Sequence, residues 1–300
     1  MGVSPDVSEN YYNTKSLWME AGIQNMEKSF TVAADLKLAN LLLGLMGHGS
    51  LHPCCYCDID KHHLINKGTQ RTVGSLKEYF WNYYDSGTDR KDAKKFGNVV
   101  HPSLLSSQCD SELILSLVPP PELHLFTGPV NTMYSAMLAL WPGSAKWLEK
   151  CHVEREQQQG GCFTGNAAMK LLKNVDILDS ICPLQIKAFV QAFRSFARVV
   201  ESCYGTRLTT DFKKRIDTFR KDYEHLDIRV TPKIHMVFHH IEEFCDIKGM
   251  GLGPWSEQAS EGMHHDFRME WEKFKVNATS HPNYGARLLS AVSMYNSKHL

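Results

Sequence analysis

The sequence predicts a mostly helical α/β chain with short extended pieces, on three observations. Apolar residues recur at helical spacing: Ile186, Phe189, Val190, Phe193, Ala197 and Val200 form one stripe, and Tyr284, Leu288, Ala291, Val292 and Tyr295 form another. Runs with strand character are few and short, at residues 29–34 (SFTVAA) and 113–118 (LILSLV). The 300 residues are 43% hydrophobic and 22% charged, the composition of a chain that buries a core, which excludes wholesale disorder.

Taken in order, residues 8–28 read as an amphipathic helix. Residues 29–34 read as a strand ending at Asp35, and 36–46 as a helix that is apolar nearly all round and therefore buried. The run 113–118 reads as a second strand, stopped by Pro119-Pro120-Pro121. Thr231-Pro232 starts a helix well, with threonine as cap and proline in the first turn. Ser256 is a candidate cap for the next helix, with Glu257 in its first turn. The stretch from about 60 to 230 reads as a long helical insertion between two short α/β pieces.

Charge and composition narrow the function classes. Lys+Arg and Asp+Glu both number 33, which excludes a globally basic nucleic-acid binder and leaves room for a local basic face. The longest apolar stretch, 38–46, is interrupted by Asn40 and Gly44 and is too short to span a bilayer. No basic-then-apolar leader opens the sequence, so the nine cysteines are expected to be reduced thiols, some of them on metal.

Five groups of residues can carry chemistry. Cys54-x-x-Cys57 presents two thiols at the spacing that grips one tetrahedral Zn²⁺; a redox pair or two buried thiols remain open as alternatives. His235 and His240 lie on the two edges of the apolar stripe Ile234, Val237, Phe238, Ile241 and Phe244, at a spacing found in zinc sites. The alternative for them is two interfacial histidines, and His239, nearly opposite the stripe, is expected to face solvent. Asp35 follows a strand-like run, a usual place for a metal-binding carboxylate, but on spacing alone a helix cap is the stronger reading. Glu257 and Glu261 share a helix face, followed by His264, His265 and Asp266; either a cation offsets this cluster or it is a solvated acidic face. The basic stretch 211–221 (DFKKRIDTFRK) can meet phosphates, although a solvated helix face explains it better.

Together, Asp35, Cys54-x-x-Cys57, Glu122-Leu123-His124 with Gly128, His235-x₄-His240, and Trp255 with Glu261 and Phe267 resemble, in order and spacing, the catalytic core of the V(D)J recombinase and its relatives, the Transib and Chapaev/CACTA-type DNA transposases. The resemblance runs through almost the whole chain. It implies a partial RNase H-like core over 1–60 carrying the CxxC pair, a helical insertion over 61–230, and 231–300 closing back onto the core as one domain. It implies catalytic roles for Asp35 and Glu261, an outer-shell role for Glu257, and a structural zinc on Cys54, Cys57, His235 and His240. Catalytic Mg²⁺ or Mn²⁺, DNA as partner, a homodimer and a nuclear location are implied as well, with no membrane and no small-molecule substrate. In this family two cations activate the attacking oxygen and stabilise the leaving one in phosphodiester cleavage and strand transfer. The family's first catalytic Asp lies well upstream of the second, whereas 34 residues precede Asp35 here. The expectation is therefore a transposase core fragment that does not cleave DNA. Two other classes stay open: a zinc-stabilised DNA- or protein-binding module without catalysis, and a helical di-iron carboxylate protein using Glu149-x-x-His152 and Glu261-x-x-His264.

Overall fold

The computed structural model describes residues 9–23, 31–105, 107, 109–155, 161–256, 258–278 and 280–299, without the side chains of 258–261, 264, 265 and 299. The chain forms two compact units, one of residues 29–256 and one joining 1–28 to 257–300. The expected boundaries near 60 and 230 both fall inside the larger unit. Among the described residues the structure is helical, and the only β pairing is three isolated bridges, Leu45 with Val99, Cys57 with Gln70 and Thr72 with Leu113.

The larger unit begins with α2 (Leu36–Leu42), which follows α1 (Tyr11–Glu20) of the smaller one. Asp35 caps α2, its Oδ1 accepting from the Leu38 N–H at 2.7 Å. The predicted strand before it is absent from residues 31–34, which run extended and unladdered, with the Val32 N–H bonded to the Leu117 carbonyl at 2.8 Å. Of Asp35's two readings, the cap is the one observed. The helix is shorter than the expected 36–46 because Gly44 takes φ +69. A Cβ there would lie 2.0 Å from the His101 carbonyl oxygen, so only glycine fits.

Next comes α3 (Val73–Asp85), with a reciprocal cap in which Thr72 Oγ1 accepts from the Ser75 N–H and Ser75 Oγ from the Thr72 N–H. The second predicted strand, 113–118, is instead the short helix α4 (Ile114–Leu117). Ile114, Leu115, Leu117 and Val118 are all buried, and a short run buried on every side has no period to separate strand from helix.

The long α5 (Glu122–Leu140) contains Pro129, which cannot donate to the Leu125 carbonyl one turn back. The Tyr204 hydroxyl donates there instead, at 3.0 Å. After α6 (Ala145–Lys150), α7 (Gly165–Lys173) and α8 (Val175–Ile181), the helices α9 (Lys187–Cys203), α10 (Phe212–Glu224) and α11 (Pro232–Lys248) build the core. Phe196, Phe219, Tyr223 and Phe238 meet there at ring separations of 4.8–5.9 Å. The stripe from Ile186 to Val200 lies on α9 as its periodicity predicts.

In the smaller unit the predicted helix 8–28 is observed as α1, ending where Gly22 turns left-handed at φ +69; residues 24–28 lie outside the described ones. There α12 (Gln258–Phe274) packs on α13 (Tyr284–His299). Phe267 meets Tyr295 at 5.9 Å and Trp271 meets Tyr284 at 5.5 Å. The nearly buried Glu270 takes ion pairs from Lys273 and Lys298.

Candidate metal centre

The Cys54–Cys57 turn is held by backbone acceptors and one buried cation. Arg71, 1% exposed, donates from Nε to the carbonyls of Cys54 (3.2 Å) and Cys57 (3.1 Å), and from Nη2 to the Gly97 carbonyl (2.8 Å). The Tyr56 hydroxyl donates to the Pro119 carbonyl at 3.0 Å, and the Tyr56 N–H points at Cys54 Sγ, 3.4 Å away. This arrangement turns both sulfurs of the pair inward, and Cys54, Cys55 and Cys57 are all fully buried.

Helix α11 brings the imidazoles. His235 Nε2 lies 3.2 Å from Cys57 Sγ, and His240 Nε2 lies 3.3 Å from Cys54 Sγ. The four ligand atoms lie within 4.8 Å of one another, and all four side chains are buried. Ligands about 2.0–2.3 Å from a tetrahedral Zn²⁺ stand about 3.3–3.8 Å apart, so the cluster is close to the size that zinc requires. The far side of each ring is also engaged: His235 Nδ1 is 2.8 Å from the Leu64 carbonyl, and His240 Nδ1 is 2.8 Å from Glu243 Oε2. Both partners are acceptors, so both Nδ1 atoms carry the hydrogen and both Nε2 lone pairs face the sulfurs, the arrangement a cation between them resolves. The donor set fits zinc, and with four protein ligands and full burial it fits a closed structural site.

The electrostatics agree. Burial pushes the Cys54 thiol well up, while the hydrogen bond from Cys54 pulls Cys57 far down, helped by His235 and His240, so Cys57 is the readier thiolate. Burial works against a charged His240, but its bonds to Cys57 and Glu243 outweigh this and raise its proton affinity. Burial works against a charged Glu243 too, yet His240 and Lys67 hold its carboxyl at about 2. Cys55 lies outside the ligand set, and burial pushes its thiol up to about 12, as for an inert core thiol.

His239 corrects an expectation. It does not face solvent: it is 8% exposed, and its Nε2 lies 3.0 Å from the Ile65 carbonyl. The loop after the CxxC turn folds over α11 and contacts both His235 and His239, which no helical wheel drawn on α11 alone can include. Burial, then the neighbouring His235, pushes His239 down to about 4, so its ring is neutral near pH 7.

The other candidates stand as follows. Asp35 is half-buried beside His48 and Lys233 in the larger unit. Glu261 lies on α12 of the smaller unit with its side chain outside the described residues, and Glu257 lies outside them altogether, as does any meeting of Glu261 with Asp35. His124 sits half-buried in the first turn of α5. Glu149 and His152 are both exposed and α6 ends between them, so this pair does not project into a bundle. On α10, Lys213, Arg215, Arg220 and Lys221 each reach a carboxylate of this chain, which favours the solvated-face reading of the basic stretch. Sequence reasoning missed Arg71, Lys67 and Glu243. Of these, Glu243 left a signal: it stands three residues after His240, where a helical neighbour can orient a metal-bound ring. All nine cysteines are free thiols, and no helix among the described residues is long and apolar enough to cross a membrane. No protein-family profile and no curated protein matches the sequence.

Proposed function

We propose that this chain is a transposon-derived DDE transposase core fragment with an RNase H-like ancestry, whose zinc site ties the two flanks of a long helical region together. The observation that carries the reading is the convergence of Cys54 and Cys57 with His235 and His240, drawn from positions 178 and 186 residues apart. A zinc-binding CxxC turn alone is common to many folds. What supports this reading is that the turn lies 19 residues after Asp35 and is completed by a His-x₄-His helix beyond the insertion, the order the resemblance calls for.

On this reading DNA is the partner, and Asp35 and Glu261 each carry the metal-binding role that the resemblance implies for them. A bound Mg²⁺ or Mn²⁺ supplies Lewis-acid activation of a phosphodiester. With two such carboxylates rather than three in these 300 residues, the expected behaviour is binding of DNA without cleavage. The test uses purified chain on nicked and hairpin DNA in Mg²⁺ and in Mn²⁺, with Glu261→Gln as control. DNA binding without cleavage supports the proposal. Cleavage that the control lacks shows that a third carboxylate has been overlooked, and failure to bind any DNA sinks the transposase reading.

The closed, fully buried ligand set also fits a second reading, a non-enzymatic, zinc-stabilised module that binds DNA or protein. Cleavage in the same assay excludes that module, and failure to bind DNA leaves only its protein-binding form.

A further inference from the structure

Arg71 takes more of the Cys54–Cys57 turn than its two ends. Its backbone N–H donates to the Tyr56 carbonyl at 2.8 Å, and its Nε takes the carbonyls of Cys54 and Cys57. One residue therefore engages three of the four carbonyls of the turn. Arg71 is itself tied to other elements. Its carbonyl accepts from the Ile114 N–H at the start of α4 at 3.0 Å, and Nη2 donates to the Gly97 carbonyl at 2.8 Å.

Filling space does not explain an arginine here. The side chain is 1% exposed, its hydrogen-bond partners are neutral carbonyls, and Nη1 has none. A buried charge compensated in this way is costly, and an apolar side chain would fill the same volume at less cost. What a guanidinium adds is a rigid planar fork that takes several acceptors in one fixed geometry. Gly97 leaves room for that fork: a Cβ built there would lie 2.9 Å from Nη1 and 3.1 Å from a Tyr79 ring carbon.

The two halves of the metal centre are held by different means. The imidazoles stand on one helix, each braced at Nδ1. The sulfurs stand on a turn that belongs to no helix, so the captured carbonyls set their spacing. Ligand type alone does not choose the ion. Imidazole and thiolate also bind Ni²⁺, which favours square-planar geometry, and zinc gains its advantage where the ligands are held tetrahedrally.

We propose that Arg71 is the positioning residue that fixes the two sulfurs for tetrahedral Zn²⁺ and so gives the centre its preference for zinc over Ni²⁺. The inference rests on the zinc centre and not on the transposase reading.

The test uses the full chain, stripped of metal, with Zn²⁺ and Ni²⁺ each titrated in competition with a chelator. The deciding quantity is the ratio of the two affinities. A general loss of stability weakens both ions alike and cancels in the ratio, whereas a loosened turn does not cancel. Arg71→Met should weaken zinc binding roughly 10- to 100-fold, the range for a group that orients metal ligands. Nickel binding should weaken less, so the zinc-to-nickel ratio should fall about tenfold. Arg71→Lys keeps the charge but loses the fork, and its ratio should fall as well. As a second route, Gly97→Ala leaves Arg71 in place and crowds Nη1, and it should shift the ratio in the same direction even if Arg71→Met does not fold. Loaded with Co²⁺, the wild type should show the strong visible bands of a tetrahedral thiolate site, and the Arg71 variants weaker, shifted ones. Variants that melt lower but keep the wild-type ratio and cobalt spectrum overturn the inference and leave Arg71 a purely structural residue. A wild-type chain that binds no zinc, or holds Ni²⁺ as tightly, overturns it too. Failure to bind DNA sinks the transposase reading alone.

Discussion

Removing one zinc ligand should unfasten the larger unit. Cys57→Ser is the sharpest perturbation, because a serine hydroxyl nearly matches the thiol in size but is a poor zinc ligand. The metal links the CxxC turn to α11 across 178 residues. Treated as a cross-link closing a loop of that length, it restricts the unfolded chain by about 5 kcal/mol. That equals much of the stability of an ordinary domain, about 5–15 kcal/mol. For a unit of this size each kcal/mol moves the melting temperature by about 2–4 °C, so loss of zinc should lower it by about 10–20 °C. The assay is metal content by mass spectrometry together with calorimetry before and after a chelator. One zinc per chain is expected in the wild type and none retained in Cys57→Ser, with the chelated wild type melting like the variant. Cys55→Ala is the control, since Cys55 is as buried as its neighbours yet lies outside the ligand set; it should keep its zinc. A wild-type chain that purifies without metal and melts identically with and without chelator would refute the site.

Three further outcomes follow from individual contacts. Glu243→Gln should leave the fold intact but weaken zinc binding about 10- to 100-fold in chelator competition, because Glu243 orients His240 through a 2.8 Å contact. Its folded-state carboxyl is held at about 2, so its contribution to stability is complete above the ordinary glutamate range and is lost as pH falls towards 2; the variant should show a flatter acid limb in melting temperature against pH. Gly44→Ala should destabilise by more than about 3 kcal/mol, since it joins positive φ to a 2.0 Å approach to backbone, and a near-native melting temperature would show that the loop at His101 yields. Tyr204→Phe should cost about 1–3 kcal/mol by stranding the Leu125 carbonyl, and Pro129→Ala should recover part of that loss by restoring a helical N–H; no recovery would mean that the tyrosine acts through packing alone.

Much of this molecule is decided within a few residues of chain. The Thr231-Pro232 start of α11, the stripe along α9 and the capping side chain of Asp35 all act over one or two helical turns, and each is observed where the sequence places it. The zinc ligands were legible for a related reason. A thiol pair three residues apart and an imidazole pair five apart keep their relative geometry on a turn and on a helix, so each half of the site is set locally. That the two halves meet was an expectation from the resemblance, and packing alone brings them together.

The sequence by itself determined the helical character, the helix starts and the types of ligand on offer. Only the tertiary structure decided what surrounds them. It put a short helix where residues 113–118 read as a strand, because burial on all sides erases the alternation that marks one. It buried His239 under the loop that follows the CxxC turn, and it threaded Arg71 between the carbonyls of Cys54, Cys57 and Gly97. It also laid the stem of Lys233 across Gly128 of α5. In each case the deciding neighbour lies on a different element, tens of residues or more away along the chain. Capping and periodicity are short-range forces along the chain, whereas burial and charge compensation depend on distance through space.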